Sequence, residues 1–337
     1  MRIIVDCMSG DNAPDAIVHG ALEGKLKENV ELILVGDKNA IEECAKAHSL
    51  SLDGCTIVEN EGENITMEDE VTSVVKEKNQ SSMAVALKLL KDGEGDAMVS
   101  AGNTGALLTG ATLVLRRIKG VRRPGLGAIL PFGSPTLLTD AGAQAVCAPE
   151  DLVMFARMGS MYMNKVMGIE NPKVALINNG AEECKGTDLQ KETYQALKNI
   201  NDINFVGNIE GREVFDGEND VIIADGFTGN IVVKMCEGAG KFTKKCLKDV
   251  FYRNILSKIA YLFAKGSVNK LRHEMDHSIY GGAPFLGIAK PVIKGHGSSN
   301  HVSIAVCIGQ AKRYAESGMI DYIASLKTAS QEEKEVN

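Results

Sequence analysis

The sequence predicts an α/β fold built on a mostly parallel sheet covered on both faces. Short β-forming runs alternate with segments of helical period along the chain. Two of those runs feed the same glycine-rich turn, Gly-x-Thr-Gly, placed where a strand hands over to a helix. No stretch rich in Pro, Gly and Ser divides the 337 residues, so any two lobes are expected to be joined by strands as one unit over 1–330.

The strand-like runs fall near residues 2–6, 31–35, 96–100, 126–130, 136–139, 173–177, 203–206 and 221–224. Segments 79–91, 150–167 and 302–316 carry the helical period and are expected to cover the sheet. The polar tail, 331–337, is expected to fray.

Composition narrows the class. A hydrophobic content of 44% suits a water-soluble globule with an ample core, and no run approaches the ~18 apolar residues of a membrane span. A strand-like run opens at Arg2, so no signal peptide is expected and the protein is expected to be cytoplasmic. Eight cysteines (Cys7, Cys44, Cys55, Cys147, Cys184, Cys236, Cys246 and Cys307) contain no C-x-x-C pair, so neither a zinc ribbon nor a disulfide framework is expected.

The first repeated turn runs through Ser100, Gly102, Asn103, Thr104 and Gly105, and the second through Asp225, Gly226, Thr228, Gly229 and Asn230. Unpaired N–H groups and the macrodipole at a helix start favour an anion, and glycine permits close approach of an oxyanion. Glycine-rich turns also arise for steric reasons alone. The added hydroxyls, amides and the Asp225 carboxylate favour ligand binding, and such sites cluster beyond the carboxyl ends of strands.

Charge is unevenly placed. From Lys241 to Arg272 nine bases stand against Asp249, a net of +8 on a chain whose total is −7, so the remainder carries −15. Within this protruding basic segment, about 241–275, Leu247, Phe251, Ile255, Ile259, Leu262 and Phe263 recur at helical spacing. Lys244, Lys245, Lys248 and Arg253 add the cationic side. Such an amphipathic helix suits the core, a dimer contact, an acidic protein or an anionic membrane surface.

His273-Glu274-Met275-Asp276-His277 matches H-E-x-x-H, the pattern of a zinc metallohydrolase. That chemistry needs a helix lining a cleft and a third ligand, yet Gly281-Gly282 follows four residues later, so the match is expected to be accidental. A non-enzymatic, membrane-associated scaffold is a further alternative, as is an acetyl-CoA:phosphate transferase with a nucleotide pocket.

Six segments taken together resemble one family: Asp6-Cys7-Met8-Ser9-Gly10-Asp11-Asn12-Ala13-Pro14, Ser100 to Ala106, Lys185-Gly186, Asp225 to Asn230, Gly281 to Gly287, and His296-Gly297-Ser298-Ser299. The chain is similar to phosphate acyltransferase, the PlsX family of bacterial phospholipid synthesis, from residue 3 to about 316. It departs from the family at Ser9, usually Gly; at Ala181, usually Glu; and at Thr187-Asp188, usually Asn-Glu.

The resemblance implies transfer of a fatty acyl group from acyl carrier protein to inorganic phosphate, giving acyl phosphate, with no metal and no organic cofactor. It implies a homodimer with an open three-layer α/β/α fold similar to isocitrate and isopropylmalate dehydrogenases. With that activity the cationic helix is expected either to steer acidic acyl carrier protein or to dock the dimer peripherally on an anionic membrane, so that product passes to a membrane glycerol-3-phosphate acyltransferase; no nucleic acid partner is expected. Lys185 and Asn230 match positions the family uses for activity.

On this reading phosphate is the nucleophile and positioning carries the work. The two turns, with Gly10, Asp11 and Gly282, are expected to hold phosphate and substrate and Lys185 to supply charge, while His296 either orients the phosphate or a carboxylate or is a satisfied structural histidine. Asn230 donates to the thioester carbonyl, a contribution of roughly 3 to 4 kcal/mol for one well-aimed donor. A thiol leaving group of pKa about 8.5 needs little acid help. Cys7, after the first strand, is expected to be packing rather than a nucleophile.

Overall fold

A computed structural model describes the backbone of residues 1–274 and 280–326 and the side chains of 1–270 and 280–326. The side chains of His273 and Glu274, all of His277, and the tail 331–337 lie outside the described residues.

The chain begins with β1 (Arg2–Asp6), α1 (Asp15–Glu28), β2 (Glu31–Val35), α2 (Lys38–Ala47) and β3 (Cys55–Val58). Next come α3 (Ser82–Lys91), β4 (Ala97–Ser100) and α4 (Thr104–Gly110), which runs into a π turn over Ala111–Leu115. The middle of the chain supplies β5 (Gly125–Leu126), β6 (Ala128–Phe132), β7 (Ser134–Thr139), α5 (Pro149–Lys165), β8 (Lys173–Asn178), α6 (Asp188–Lys198), β9 (Asn204–Glu210) and β10 (Val221–Ile223). Two long helices follow, α7 (Gly226–Tyr252) and α8 (Ile255–Glu274), then β11 (Ala283–Leu286), β12 (Val292–Lys294), α9 (His301–Glu316) and α10 (Met319–Ser325).

The expected α/β alternation is present, and its strands pair into two sheets, ordered β3-β2-β1-β4-β12-β11-β5 and β6-β7-β10-β8-β9. The first five strands of one sheet run parallel, as do the last four of the other, and antiparallel pairings confine themselves to β11, β5 and β6. The run expected as one strand over 126–130 is cut at Gly127, whose N–H donates to Pro284 O at 2.9 Å. A Cβ there would come within 2.8 Å of Leu137, so glycine lets the chain cross from one sheet to the other.

Alternation along β1 shows how the first sheet is covered. Ile3 and Val5 pack with Ile17 of α1 and Ile304 of α9, whereas Ile4 packs with Met83 and Leu87 of α3. The core under α1, α5 and α9 continues onto Val174, Leu176, Val221 and Ile223 of the second sheet. Its other face, through Ala175 and Ile222, meets Val232, Val233 and Cys236 of α7. At 27 residues α7 is about 40 Å long, so only its first part can lie on the sheet.

The carboxyl edges of both sheets meet at the crossing. Ala283 pairs with Lys294 at the end of β12, Pro284 accepts from Gly127, and Leu126 donates its N–H to Asp140 Oδ1 at 2.9 Å beyond the end of β7.

Candidate functional site

On the first sheet the parallel register sets Asp6 opposite Ser100, and Ser100 opposite Lys294, a row across the ends of β1, β4 and β12. Asp6 is buried and accepts hydroxyl protons from Ser82 at 2.6 Å and Ser100 at 2.7 Å. Burial pushes its carboxyl up, against the pull of those hydrogen bonds. Ser100 Oγ in turn accepts from Gly102 N at 3.2 Å, which fixes the turn that opens α4.

That turn differs in detail from the cradle the sequence suggests. Ser100 is only 1% exposed and spends its hydroxyl on the protein, so it shapes the turn from beneath. Asn103 is the N-cap: its Oδ1 accepts from Ala106 N at 3.1 Å, and its amide donates to Thr66 O and Met67 O at 3.3 Å. A Cβ on Gly102 would strike Met83 and Ser9, and one on Gly105 would lie 2.6 Å from Val71. Packing therefore requires these two glycines. The N–H groups of Thr104 and Gly105, in the first turn of α4, have no protein acceptor among the described residues.

Loops after β1 and β12 close round this turn. Gly10 takes φ +116° and lies against Ala101 and Gly297, while Asp11 N donates to Gly297 O at 2.8 Å. His296 is exposed, and its Nδ1 faces Ser298 Oγ at 2.8 Å. Gly282 sits at the sheet edge beside Lys294, with its N–H given to Gln310 Oε1 at 2.8 Å. Its N–H is thus spent on the protein.

Lys294 went unrecognised in the sequence. It is 6% exposed, its ammonium donates to Gly295 O and, at 3.4 Å, to Ala101 O, and burial pushes it down to about 8 despite the neighbouring Asp11 and Asp6. The signal was a lone cation closing the apolar run Val292-Ile293 just before Gly295.

The second turn is closed where an open cradle was expected. Gly226 N donates to Gln144 O at 2.9 Å, Thr228 N to Asp225 Oδ1 at 3.0 Å and Gly229 N to Asp225 O at 2.8 Å. Thr228 Oγ1 also donates to Asp225 Oδ2 at 2.7 Å. Phe227 keeps the first-turn N–H with no protein acceptor among the described residues. A few ångströms away the buried Asp140 carboxylate accepts from Leu126, Gly142, Ala143 and Gln144 N–H groups at 2.6 to 3.1 Å. The protein's own carboxylate thus fills the anion nest of this half. A Cβ on Gly226 would lie 2.6 Å from Asp140 Oδ2, which accounts for glycine there.

Lys185 and Asn230 come from the carboxyl ends of neighbouring strands, β8 and β10. Lys185 is exposed on the loop after β8, where its N–H donates to Glu182 O at 3.1 Å and its carbonyl accepts from Asn178 Nδ2 at 3.2 Å. Asn230 is exposed in the second turn of α7, 3.4 Å from where a Gly142 Cβ would stand. It is not the N-cap, since Asp225 holds that position. The departure at Thr187-Asp188 is a helix start: Thr187 N donates to Gln190 Oε1 at 3.2 Å. Ser9 packs against Gly102, and Ala181 is exposed on the Lys185 loop. Arg122 grips the buried Asp151 carboxylate with Nε at 2.8 Å, and Arg123 donates to Gln144 Oε1 at 2.9 Å.

Cys7 is wholly buried, its thiol 3.5 Å from Val5 O, and burial pushes it well above the usual thiol range. A thiolate nucleophile needs the opposite.

The basic segment corrects a second expectation. The stripe from Leu247 to Phe263 belongs to two helices, because the chain turns at Arg253 and Asn254; Asn254 Oδ1 accepts from Ser257 N at 2.8 Å to start α8. Phe251 and Tyr252 meet the Tyr261 ring across the corner at 5.3 and 6.1 Å. Ile255, Leu256 and Phe263 are 77%, 78% and 89% exposed, and Ile259, Lys244, Lys245, Lys248 and Arg253 are exposed too. Among the described residues no helix is long and apolar enough to cross a membrane.

Residues 1–322 match the family model described as fatty acid synthesis protein. The chain is 43% identical over 339 residues to a phosphate acyltransferase of Clostridioides difficile, covering 100% of this chain and 99% of that one. It is 44% identical over 325 residues to the phosphate acyltransferase of Acetivibrio thermocellus, covering 96% and 95%. In fold it is similar to a phosphotransacetylase from Streptococcus pyogenes, with TM-score 0.67 at 15% identity over 94% of each chain. It is also similar to a protein assigned as a 4-hydroxythreonine-4-phosphate dehydrogenase from Salmonella typhimurium, with TM-score 0.53 at 11% identity over 93% and 98%. These last two likenesses bear on fold alone, and they agree with the dehydrogenase-like α/β architecture that the family resemblance implies. Full-length identity above 40% to curated enzymes carries more: the chain belongs to the phosphate acyltransferase family, PlsX, and is an enzyme that transfers an acyl group to phosphate.

Proposed function

We propose that the acyl donor is a fatty acyl thioester of acyl carrier protein, and that phosphate attacks it directly to give acyl phosphate for phospholipid synthesis. The observation that supports the reading is that the first-turn N–H groups of Thr104 and Gly105 have no protein acceptor among the described residues, while the buried Lys294 ammonium donates to Ala101 O, at 3.4 Å, in the loop that leads into that turn. Hydrogen-bond donors and a desolvated cation together favour a small anion.

In this reading phosphate sits on the first turn, near Asp11 and His296, and Lys185 adds positive charge from the facing edge. A phosphate oxygen forms the new bond to the thioester carbon as the C–S bond breaks. The proton carried by the hydrogen phosphate passes to the departing thiolate, whose conjugate acid has a pKa of about 8.5, so no acid of the protein is required. Asn230 donates to the carbonyl oxygen as charge grows on it, the work of an oxyanion donor. Asp225, Gly226, Thr228 and Gly229 hold the start of α7, and so Asn230, in place.

The turned pair α7 and α8 supports peripheral contact with an anionic membrane from the cytoplasmic side. Exposed Ile255, Leu256 and Phe263 beside lysines combine the two attractions such a surface offers. Family membership supports a homodimer and delivery of product to a membrane glycerol-3-phosphate acyltransferase.

Incubation with phosphate and either a carrier-protein thioester or a coenzyme A thioester, followed by hydroxylamine trapping of acyl phosphate, tests the donor. Hydroxamate formed faster from the carrier thioester supports the reading. Equal or faster formation from coenzyme A overturns it.

A further inference from the structure

Behind the site, three imidazoles stack at the junction of α1, α2 and α9. The His19 ring lies 4.0 Å from that of His48 and 4.2 Å from that of His301. Two carboxylates flank them: Glu23 Oε1 is 3.1 Å from His19 Nε2, and Asp15 Oδ1 is 2.7 Å from His48 Nε2. His19 and Glu23 are one turn apart on α1, and His301 is the first residue of α9, its Nε2 4.0 Å from Glu23 Oε2. None of these side chains belongs to the proposed transfer chemistry. Two histidine donors and a carboxylate donor, one each from His19, Glu23 and His301, lie within 4.8 Å of one another, half-buried and open to solvent.

We propose that His19, Glu23 and His301 bind a divalent transition metal, with zinc the ion of choice and water completing the shell. Two imidazole nitrogens and one carboxylate oxygen are the donor set of a tetrahedral zinc with an open position, and imidazole suits zinc over magnesium or calcium. Bonds of about 2.0–2.2 Å place tetrahedral donors about 3.3–3.5 Å apart. The His19 to Glu23 separation already approaches this. Coordination requires the stacked His19 and His301 rings to rotate about their side-chain bonds so that His301 Nε2, now 4.0 Å from Glu23 Oε2, closes to that range. His48, stacked on His19 and held by Asp15, supports the His19 ring from the side away from His301.

The site has a consequence for the phosphate loops. α1 and α9 lie so close that a Cβ on Gly24 would come within 2.8 Å of Ile308. Their leading loops are joined by Asp11 N to Gly297 O at 2.8 Å and Asn12 Nδ2 to Ser299 O at 3.2 Å. A metal bridging His19 and His301 clips the two helices one turn behind those bonds and stiffens the loops.

The test is titration of the EDTA-treated full chain with Co²⁺ and Zn²⁺. The expected result is one tight equivalent, cobalt d–d bands of a tetrahedral site without a thiolate charge-transfer band, and a melting temperature raised by Zn²⁺. His301→Gln and Glu23→Gln are expected to lose at least tenfold in affinity while melting in EDTA as the parent does. Both side chains are 41% exposed, so neither substitution threatens folding. Affinity unchanged in both variants, a thiolate band, or no saturable binding overturns the proposal. A metal-induced melting shift that survives in Glu23→Gln and His301→Gln overturns it as well. Acyl transfer is not read in this experiment, so its outcome stands apart from that of the donor assay.

Discussion

Ser100 faces Asp6 across parallel strands, and its hydroxyl donates to Asp6 Oδ2 at 2.7 Å while accepting Gly102 N–H at 3.2 Å. One buried hydroxyl therefore ties two strand ends to the turn that carries the Thr104 and Gly105 N–H groups. Ser100→Ala leaves a buried carboxyl short of a donor, and a loss of about 1–3 kcal/mol is expected in urea unfolding, with a raised KM for phosphate. An unchanged unfolding midpoint contradicts the tie.

Lys294 sets a pH dependence whose sign is opposite for stability and for phosphate binding. Burial pushes its ammonium down to about 8. The unfolded chain keeps that proton up to a pKa of about 10.4, so it binds more protons than the folded chain between these values, and stability rises with pH across that window. Below pH 8 the full cost, about 3 kcal/mol, is present. Lys294→Met is expected to raise stability at pH 7 and to lose the advantage near pH 10.4. Phosphate affinity moves the other way: it falls above pH 8 in the parent and is weak and flat in Lys294→Met. A phosphate KM unaltered by the substitution removes Lys294 from the site.

Asn230 and Lys185 are predicted to fail differently. Asn230→Ala removes a donor aimed at charge that develops only as the carbonyl is attacked, so kcat falls by about 10²–10³ with KM little changed. Lys185→Ala removes charge that phosphate meets in the ground state, so the phosphate KM rises. Steady-state kinetics with phosphate varied separates the two, and equal losses in both parameters for both variants contradict the division.

Much of this architecture can be read from the sequence, and the remainder has identifiable physical reasons. The strand at 2–6 and the helix over 302–316 stand out because burial on both faces leaves an unbroken apolar run and a clean helical period. The split into two sheets is hidden because one residue, Gly127, makes it. β11 lies inside the Gly281 to Gly287 motif and β12 has three residues, too short for periodicity. The two Gly-x-Thr-Gly turns look alike in sequence but differ in space, because Asp140, remote in sequence, fills the nest beside the second. Lys294 is hidden by habit: a lysine is ordinarily solvated, and only the sheet places this one inside.

The hairpin of α7 and α8 makes a separable prediction. Reversing Lys244, Lys245 and Lys248 to Glu removes three cations worth about 1 kcal/mol each near an anionic surface. Binding to vesicles containing anionic lipid is expected to fall about 100-fold, while neutral vesicles show no comparable change. If vesicle binding and the carrier-protein KM both stay as in the parent, the cationic face has neither partner.

Direct attack by phosphate is the central claim, and it is tested by mixing enzyme at stoichiometric concentration with acyl carrier thioester in the absence of phosphate. No burst of free carrier thiol and no acylated protein are predicted, with release beginning only when phosphate is added, and Cys7→Ala behaving as the parent. A burst of one thiol per chain without phosphate, lost in Cys7→Ala or in any other variant of a nucleophilic side chain, contradicts it.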